Sequence, residues 1–351
     1  MTRSIIAFLI ALLVSFAATP LMIRLAKRIG AIDVPKDDRR VHKVPTPRLG
    51  GLAIFLGFLS ALLYMYEIDS RMVGVLTGAA IIVTLGFFDD IKPLPAKFKF
   101  LVQIIAAIIA IRSGVRIEHV SNPLYFMFPD TEYIIFGNWS YPLTLLWIVG
   151  VTNAINLVDG LDGLAAGISI ISAVTLFVAA QTTGQGFAAF LASILAASTL
   201  GFLPYNFNPA KIFMGDTGAL FLGYMLSVIS VMGVLKGAAA LSILVPIFAI
   251  GLPIYDTLFA MIRRASNGKS MMEADKGHLH HKLLDAGMSQ RQAVITLYSI
   301  SAVLGFSAVV LVEATLKVAF VLVLAVFLLA SMGAKYLSQV EVDQGSNKAD
   351  L

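Results

Sequence analysis

The chain has 351 residues, of which 58% are hydrophobic and 13% are Asp, Glu, Lys or Arg, with a formal net charge of +5 and no cysteine. Soluble domains carry about 25% charged residues. No soluble core could hide this much apolar surface, so the composition describes an integral membrane protein. Disulfides and thiolate metal sites are excluded. There is no zinc finger, RNP motif or long basic tract, so nucleic acid is not an expected partner. The basic residues sit in short loops, which suits anionic lipid headgroups and phosphorylated substrates.

Apolar runs of about 17–25 residues mark membrane-spanning helices. They predict eleven, over 4–24, 49–66, 72–88, 97–112, 141–156, 163–181, 187–204, 216–234, 240–262, 292–312 and 317–336. The first lacks a small-residue cleavage site and reads as a retained helix. Residues 1–351 read as one polytopic all-α domain with a polar tail over about 339–351. All but six of the 26 Lys and Arg fall in alternate loops; the six are Arg3, Arg71, Arg112, Arg116, Lys236 and Lys317. Basic residues favour the cytoplasmic side, which predicts an external N-terminus and a cytoplasmic C-terminus. In the outer loop 113–140, Val115, Ile117 and Val120, then Tyr133 to Phe136, predict a short periplasmic hairpin broken at Asn122-Pro123 and Phe128-Pro129.

The same topology gathers five polar clusters on the cytoplasmic side. The first is His42 to Gly51, where Lys43 or Arg48 either satisfies topology alone or contacts a phosphate. The second is Asp89-Asp90, followed by Lys92, Lys97 and Lys99. Two acids ending a membrane helix oppose its dipole and are costly unless paired or used. Adjacent carboxylates shift each other's pKa and can hold a proton or a cation. The third is Asn153, Asn156, Asp159-Gly160 and Asp162-Gly163. It reads either as a polar turn with an N-cap or as a site for a hard cation and a phosphate. The fourth runs from Phe207 to Gly218; Asp216 is a candidate N-cap, and Phe213 could stack on a base. The fifth is Arg263-Arg264, then His278, His280 and His281. With no cysteine and no H-E-x-x-H spacing, a phosphate-binding loop is the better reading than zinc.

These clusters, in this order from Pro45 to about Leu284, resemble the polyprenyl-phosphate N-acetylhexosamine-1-phosphate transferases, the MraY/WecA/TagO-like enzymes. The resemblance rests on Asp89-Asp90, Asn153-x-x-Asn156-x-x-Asp159-Gly160-x-Asp162-Gly163, Gly215-Asp216-Thr217-Gly218 and His278-x-His280-His281. It implies ten or eleven transmembrane helices and a site facing the cytoplasm at the bacterial inner membrane. It further implies transfer of a sugar-1-phosphate from a UDP-sugar to a polyprenyl phosphate, with UMP released and Mg²⁺ required, Mn²⁺ being an alternative. The run from Gly277 to Gly287 resembles the UDP-GlcNAc branch. GlcNAc-1-phosphate transfer to undecaprenyl phosphate is therefore expected, as the first membrane step of lipopolysaccharide, teichoic acid or related envelope polymers. Relatives using other UDP-N-acetylhexosamines keep the sugar open, and a homodimer is expected by analogy alone.

Carried over residue by residue, the resemblance implies that Asp216 and Asn156 hold the metal. Phe213, Asp162 and Asp159 would bind uridine. Lys99, Arg264 (or its neighbour Arg263), His278, His280 and His281 would handle phosphates or sugar, and Asp89 and Asp90 would serve catalysis. An ion-coupled secondary transporter is the alternative of a different class. It expects ionisable groups near the bilayer midplane, whereas here the acids cluster at helix ends.

Overall fold

The computed structural model describes residues 2–35, 44–65, 69–122, 133–233, 243–266, 268, 277–329 and 331. Lys43, Pro123, Phe128-Pro129 and the tail from 339 lie outside these residues. So do the start of the ninth predicted span and parts of the eleventh. The helices are α1 Thr2–Ile29, α2 Gly50–Met65, α3 Ser70–Ile91, α4 Ala96–Arg112, α5 Ser140–Val158, α6 Leu164–Thr182, α7 Gly186–Asn206, α8 Gly215–Gly233, α9 Leu244–Ala249, α10 Gly251–Ser266, α11 Leu279–Asp285, α12 Gln290–Glu313 and α13 Leu316–Leu329. Among the described residues seven are long and apolar enough to cross a membrane, and α2 and α13 are shorter apolar helices. The protein is thus an all-α, multi-pass membrane protein.

The expected single helix over 240–262 is instead two, α9 and α10, meeting at Ile250. Pro253 is the cause: it has no N–H to donate, and its ring collides with the carbonyl four residues back, at Ala249. The loop over 113–140 forms the expected antiparallel pair, β3 His119–Ser121 with β4 Tyr133–Ile135, in the register Val120 opposite Ile134. A second pair was not legible in the sequence: β1 Ile32–Asp33 lies antiparallel to β2 Thr46–Pro47.

The fold is built around α8, which is buried along almost its whole length and packs on α2, α3, α5, α6 and α7. With no hydrophobic drive between helices in lipid, close packing through small residues holds them together. Gly51 of α2 rests against the backbone of Thr217 and Gly218, and Gly86 of α3 against that of Asp216 and Thr217. A Cβ at either position would enter that backbone. Gly51→Ala is therefore expected to lower the melting temperature in detergent, at a cost of about 1–3 kcal/mol from overpacking. Gly150→Ala, where a Cβ meets nothing within 4 Å, is the control. It is expected to be neutral or stabilising, since Ala favours a helix over Gly by about 1 kcal/mol.

Candidate active site

The site forms where α3 and α5 end and α8 begins. Gly215 takes the left-handed conformation at φ +69°, and it sits against the Arg48 carbonyl and the Asp90 carboxylate. Asp90 has a side chain with 0% exposure. Its Oδ1 accepts the Asp216 N–H at 2.9 Å, and its Oδ2 accepts the Thr217 N–H at 3.1 Å and the Thr217 hydroxyl at 2.6 Å. Arg48 Nε stands 3.7 Å from Asp90 Oδ1. The first N–H groups of a helix have no partner within it and carry partial positive charge. Here a carboxylate from another helix takes two of them. The expected N-cap role of Asp216 is accordingly corrected: Asp216 lies in the first turn, and the capping oxygens come from Asp90.

Freed from capping, Asp216 turns to Lys99. Lys99 Nζ donates to Asp216 Oδ2 at 2.8 Å and to Asp89 Oδ2 at 3.2 Å, joining α8, α4 and α3. The other oxygen of Asp89 accepts the Leu94 N–H at 2.8 Å, which fixes the Pro93–Pro95 turn leading into α4. The segment Thr46–Gly51 closes one side. Phe213 N–H donates to Pro47 O at 2.8 Å, Gly50 N–H to Phe213 O at 3.0 Å and Gly51 N–H to Met214 O at 2.9 Å. Phe213 is thereby held by its backbone beside Arg48.

The end of α5 supplies the opposite wall. Asn153 Nδ2 donates to Gln103 Oε1 at 2.5 Å and to Val149 O at 2.8 Å, which ties α5 to α4. Asn156 is half-buried on the last turn. Asp159 follows in the turn. Burial, together with the neighbouring Asp216, Asp90 and Asp162 carboxylates, pushes its pKa up to about 7 despite the opposing charge of Arg48. Asp162 faces the α7–α8 connection: its Oδ2 accepts Asn208 Nδ2 at 2.9 Å and the Ala210 N–H at 3.0 Å. Asn208 is held in turn by Gln290 and Arg291 at the start of α12.

The histidine segment docks on this turn. The ring of His280 lies against Gly160, where a Cβ would enter it. His278 and His280 stack with centroids 5.8 Å apart and planes 7° from parallel, and His281 lies 4.3 Å from His280. Arg263 Nη1 donates to the Gly277 carbonyl at 2.8 Å. Arg264 is buried, its Nε donating to Ala260 O at 3.1 Å. Asp256 of α10 lies with Oδ2 2.8 Å from His278 Nδ1, and its Oδ1 accepts the Leu279 N–H at 2.9 Å. Sequence reasoning missed Asp256, although it is the sole acid in an otherwise apolar stretch, a signal that was there to be read.

Burial and the His281 neighbour lower the His280 pKa to about 4. An unfolded histidine takes up its proton near pH 6.5. This histidine therefore stabilises the fold above that value, and the stabilisation is lost as pH falls from about 6.5 to about 4. The melting temperature is expected to drop across that window, and less so in His280→Gln.

Asp89, Asp90, Lys99 and Asp216 are thus in direct contact. Asp159 lies within electrostatic reach of them, and the histidines are joined to the group through Gly160. This is a multi-pass membrane protein with acidic, basic and imidazole groups drawn to one end of its helix bundle. Residues 72–234 match the family described as glycosyl transferase family 4. The chain is 45% identical over 332 residues to the "Probable undecaprenyl-phosphate N-acetylglucosaminyl 1-phosphate transferase" of Bacillus subtilis (strain 168), covering 93% of this chain and 91% of that one. It is 37% identical to the "Decaprenyl-phosphate N-acetylglucosaminephosphotransferase" of Mycobacterium leprae (strain TN), over 86% of this chain and 81% of that one. It is 33% identical to the "Phospho-N-acetylmuramoyl-pentapeptide-transferase" of Staphylococcus aureus (strain MSSA476), over 85% and 95%. The chain belongs to the polyprenyl-phosphate N-acetylhexosamine-1-phosphate transferase family.

Proposed function

We propose that this protein transfers GlcNAc-1-phosphate from UDP-GlcNAc to undecaprenyl phosphate, at the cytoplasmic face of a bacterial inner membrane, and releases UMP. The observation that carries the reading is the contact of Asp89, Lys99 and Asp216, three residues from three helices meeting beside the Asp159 turn. The 45% identity to a relative whose name carries this reaction supports the donor and the acceptor. The concentration of Lys and Arg in alternate loops supports the orientation.

The donor set fits Mg²⁺. Asp216 and Asp89 share one lysine, and Asn156 lies on the last turn of α5, three residues before Asp159, whose carboxylate feels the Asp216 charge. Among the described residues no group of three or more His, Cys, Asp or Glu is arranged around a metal position. Mg²⁺ is commonly bound by one or two carboxylates plus substrate phosphates and water, so a closed protein cage is not required. In this reading Asp216 and Asn156 hold the ion, with Mn²⁺ as a substitute, and when bound it offsets charge on the diphosphate.

The acceptor is a phosphate monoester with a second pKa of about 6, so at pH 7 it is mostly a dianion. A strong general base is not demanded. An acceptor phosphate oxygen attacks the donor's β-phosphorus in line. The bond from that phosphorus to the oxygen shared with the α-phosphate breaks, and UMP leaves with the electron pair. Lys99, Arg264, His278, His280 and His281 serve the phosphates and sugar. Phe213, Asp159 and Asp162 serve uridine. Asp89 orients the acceptor and takes any residual proton. Asp90, whose oxygens are already committed to α8, acts by holding Asp216 in place, which also weighs against a phosphosugar intermediate on Asp90.

The test is UMP release by purified protein given UDP-GlcNAc, undecaprenyl phosphate and Mg²⁺, with a panel of UDP-N-acetylhexosamines alongside. Release with UDP-GlcNAc foremost is expected. No release with any donor overturns the activity, and preference for another donor overturns the sugar. Without lipid acceptor the protein is expected to stay unlabelled by radioactive UDP-GlcNAc, and a trapped phosphosugar would overturn direct attack.

A further inference from the structure

We propose that Asp256 is a positioning residue that sets the tautomer and direction of His278, and through it seats the histidine segment on the Asp159-Gly160 turn. The inference rests on the transferase reading above for what the histidines bind. Asp256 and His278 are both buried, at 5% and 6% exposure. One carboxylate oxygen lies 2.8 Å from His278 Nδ1, within hydrogen-bond distance, and the other accepts the Leu279 N–H at 2.9 Å. The carboxylate therefore grips ring and backbone of consecutive residues, leaving the imidazole little freedom to rotate. An ionised carboxylate can only accept, so the proton of a neutral His278 sits on Nδ1 and Nε2 is the nitrogen left for other partners. The atom that a ring nitrogen offers is set by what its opposite nitrogen bonds.

The effect passes beyond His278. Its ring stacks nearly parallel on His280, and His280 lies against Gly160, one residue from Asp159. Arg263, from the same helix as Asp256, holds the Gly277 carbonyl just before the stack. α10 thus anchors the segment at three successive residues, Gly277, His278 and Leu279. Only the Asp256 bond to His278 also decides which imidazole nitrogen carries the proton.

The substitution Asp256→Asn separates the two tasks. Its amide oxygen can keep the Leu279 N–H, but its NH₂ would face His278 Nδ1. That nitrogen must then accept, and the proton moves to Nε2. A carboxylate that orients a functional histidine is typically worth about 10–100-fold, and exchange for Asn is known to impose the wrong tautomer. Asp256→Asn is expected to lower kcat/KM for UMP release by about that factor, with Asp256→Glu recovering most of the loss. The chain has five histidines, few enough for ¹⁵N-histidine spectra of the whole protein, with His278→Gln supplying the assignment. In its neutral form His278 is expected to carry its proton on Nδ1 in the wild type and on Nε2 in Asp256→Asn.

Wild-type kcat/KM in Asp256→Asn would overturn the proposal. So would lost activity with an unchanged tautomer, or an equal loss in Asp256→Glu. If Asp256→Asn does not fold, the wild-type spectrum still decides: a proton on Nε2 of His278 overturns it. Failure of the transferase reading looks different, since the wild type itself would release no UMP while its spectrum stayed as described.

Discussion

Asp216→Asn is expected to lower kcat/KM for UMP release by about 10²–10³-fold, the scale of losing one preorganised electrostatic contact to a reacting group. The substitution keeps size and shape. The amide oxygen can still accept from Lys99, which donates to Asp216 at 2.8 Å, and α8 keeps its cap because Asp90 supplies it. What disappears is one negative charge beside Asp89 and Lys99. The melting temperature is expected to fall only slightly, since the ion pair with Lys99 is lost while Asp89 and Asp159 lose a like-charged neighbour. The Mg²⁺ concentration needed for half-maximal rate is expected to increase. Wild-type activity in this variant would remove Asp216 from the ion's surroundings.

Asp90→Asn is expected to lose activity and stability together. The wild-type carboxylate accepts three bonds, two from backbone N–H groups and one from the Thr217 hydroxyl, in a place with no exposed side-chain surface. Asparagine brings one acceptor oxygen and an NH₂ that meets other donors head on. Each buried donor left without an acceptor costs about 1–3 kcal/mol. Thermal unfolding in detergent should therefore fall clearly below that of Asp216→Asn. Full stability with lost activity would instead give Asp90 a direct part in the chemistry. The two neighbouring-site variants thus separate a residue that builds the pocket from one that works in it.

The helices were legible because lipid demands long apolar runs, and α4 and α5 match their expected spans within about two residues. The α9–α10 division was legible too, in Pro253, but an apolar count gives proline no special weight. Asp89-Asp90 was readable as a costly pair, yet its division of labour was not. One member turns to Lys99 and the other caps a helix 126 residues further on. Spacing along the chain carries no record of which acid faces which helix end. Asp256 escaped for a related reason: its partner lies 22 residues away, across a polar stretch, where no helical or strand periodicity links the two. Nothing along the chain marks the glycines at 51 and 86 as packing positions. Their purpose, contact with the α8 backbone, exists only in three dimensions.

The dependence of the acidic end on α8 has a consequence for biogenesis. While the ribosome is still making the first half of the chain, Asp89 and Asp90 have reached the bilayer surface and their partner turn has not been synthesised. Water or the insertion machinery must shelter both acids until Gly215–Thr217 emerges, and the bundle can lock only then. A nascent chain stalled before that point exposes unsatisfied charge at the lipid boundary, the kind of defect that membrane proteases can recognise.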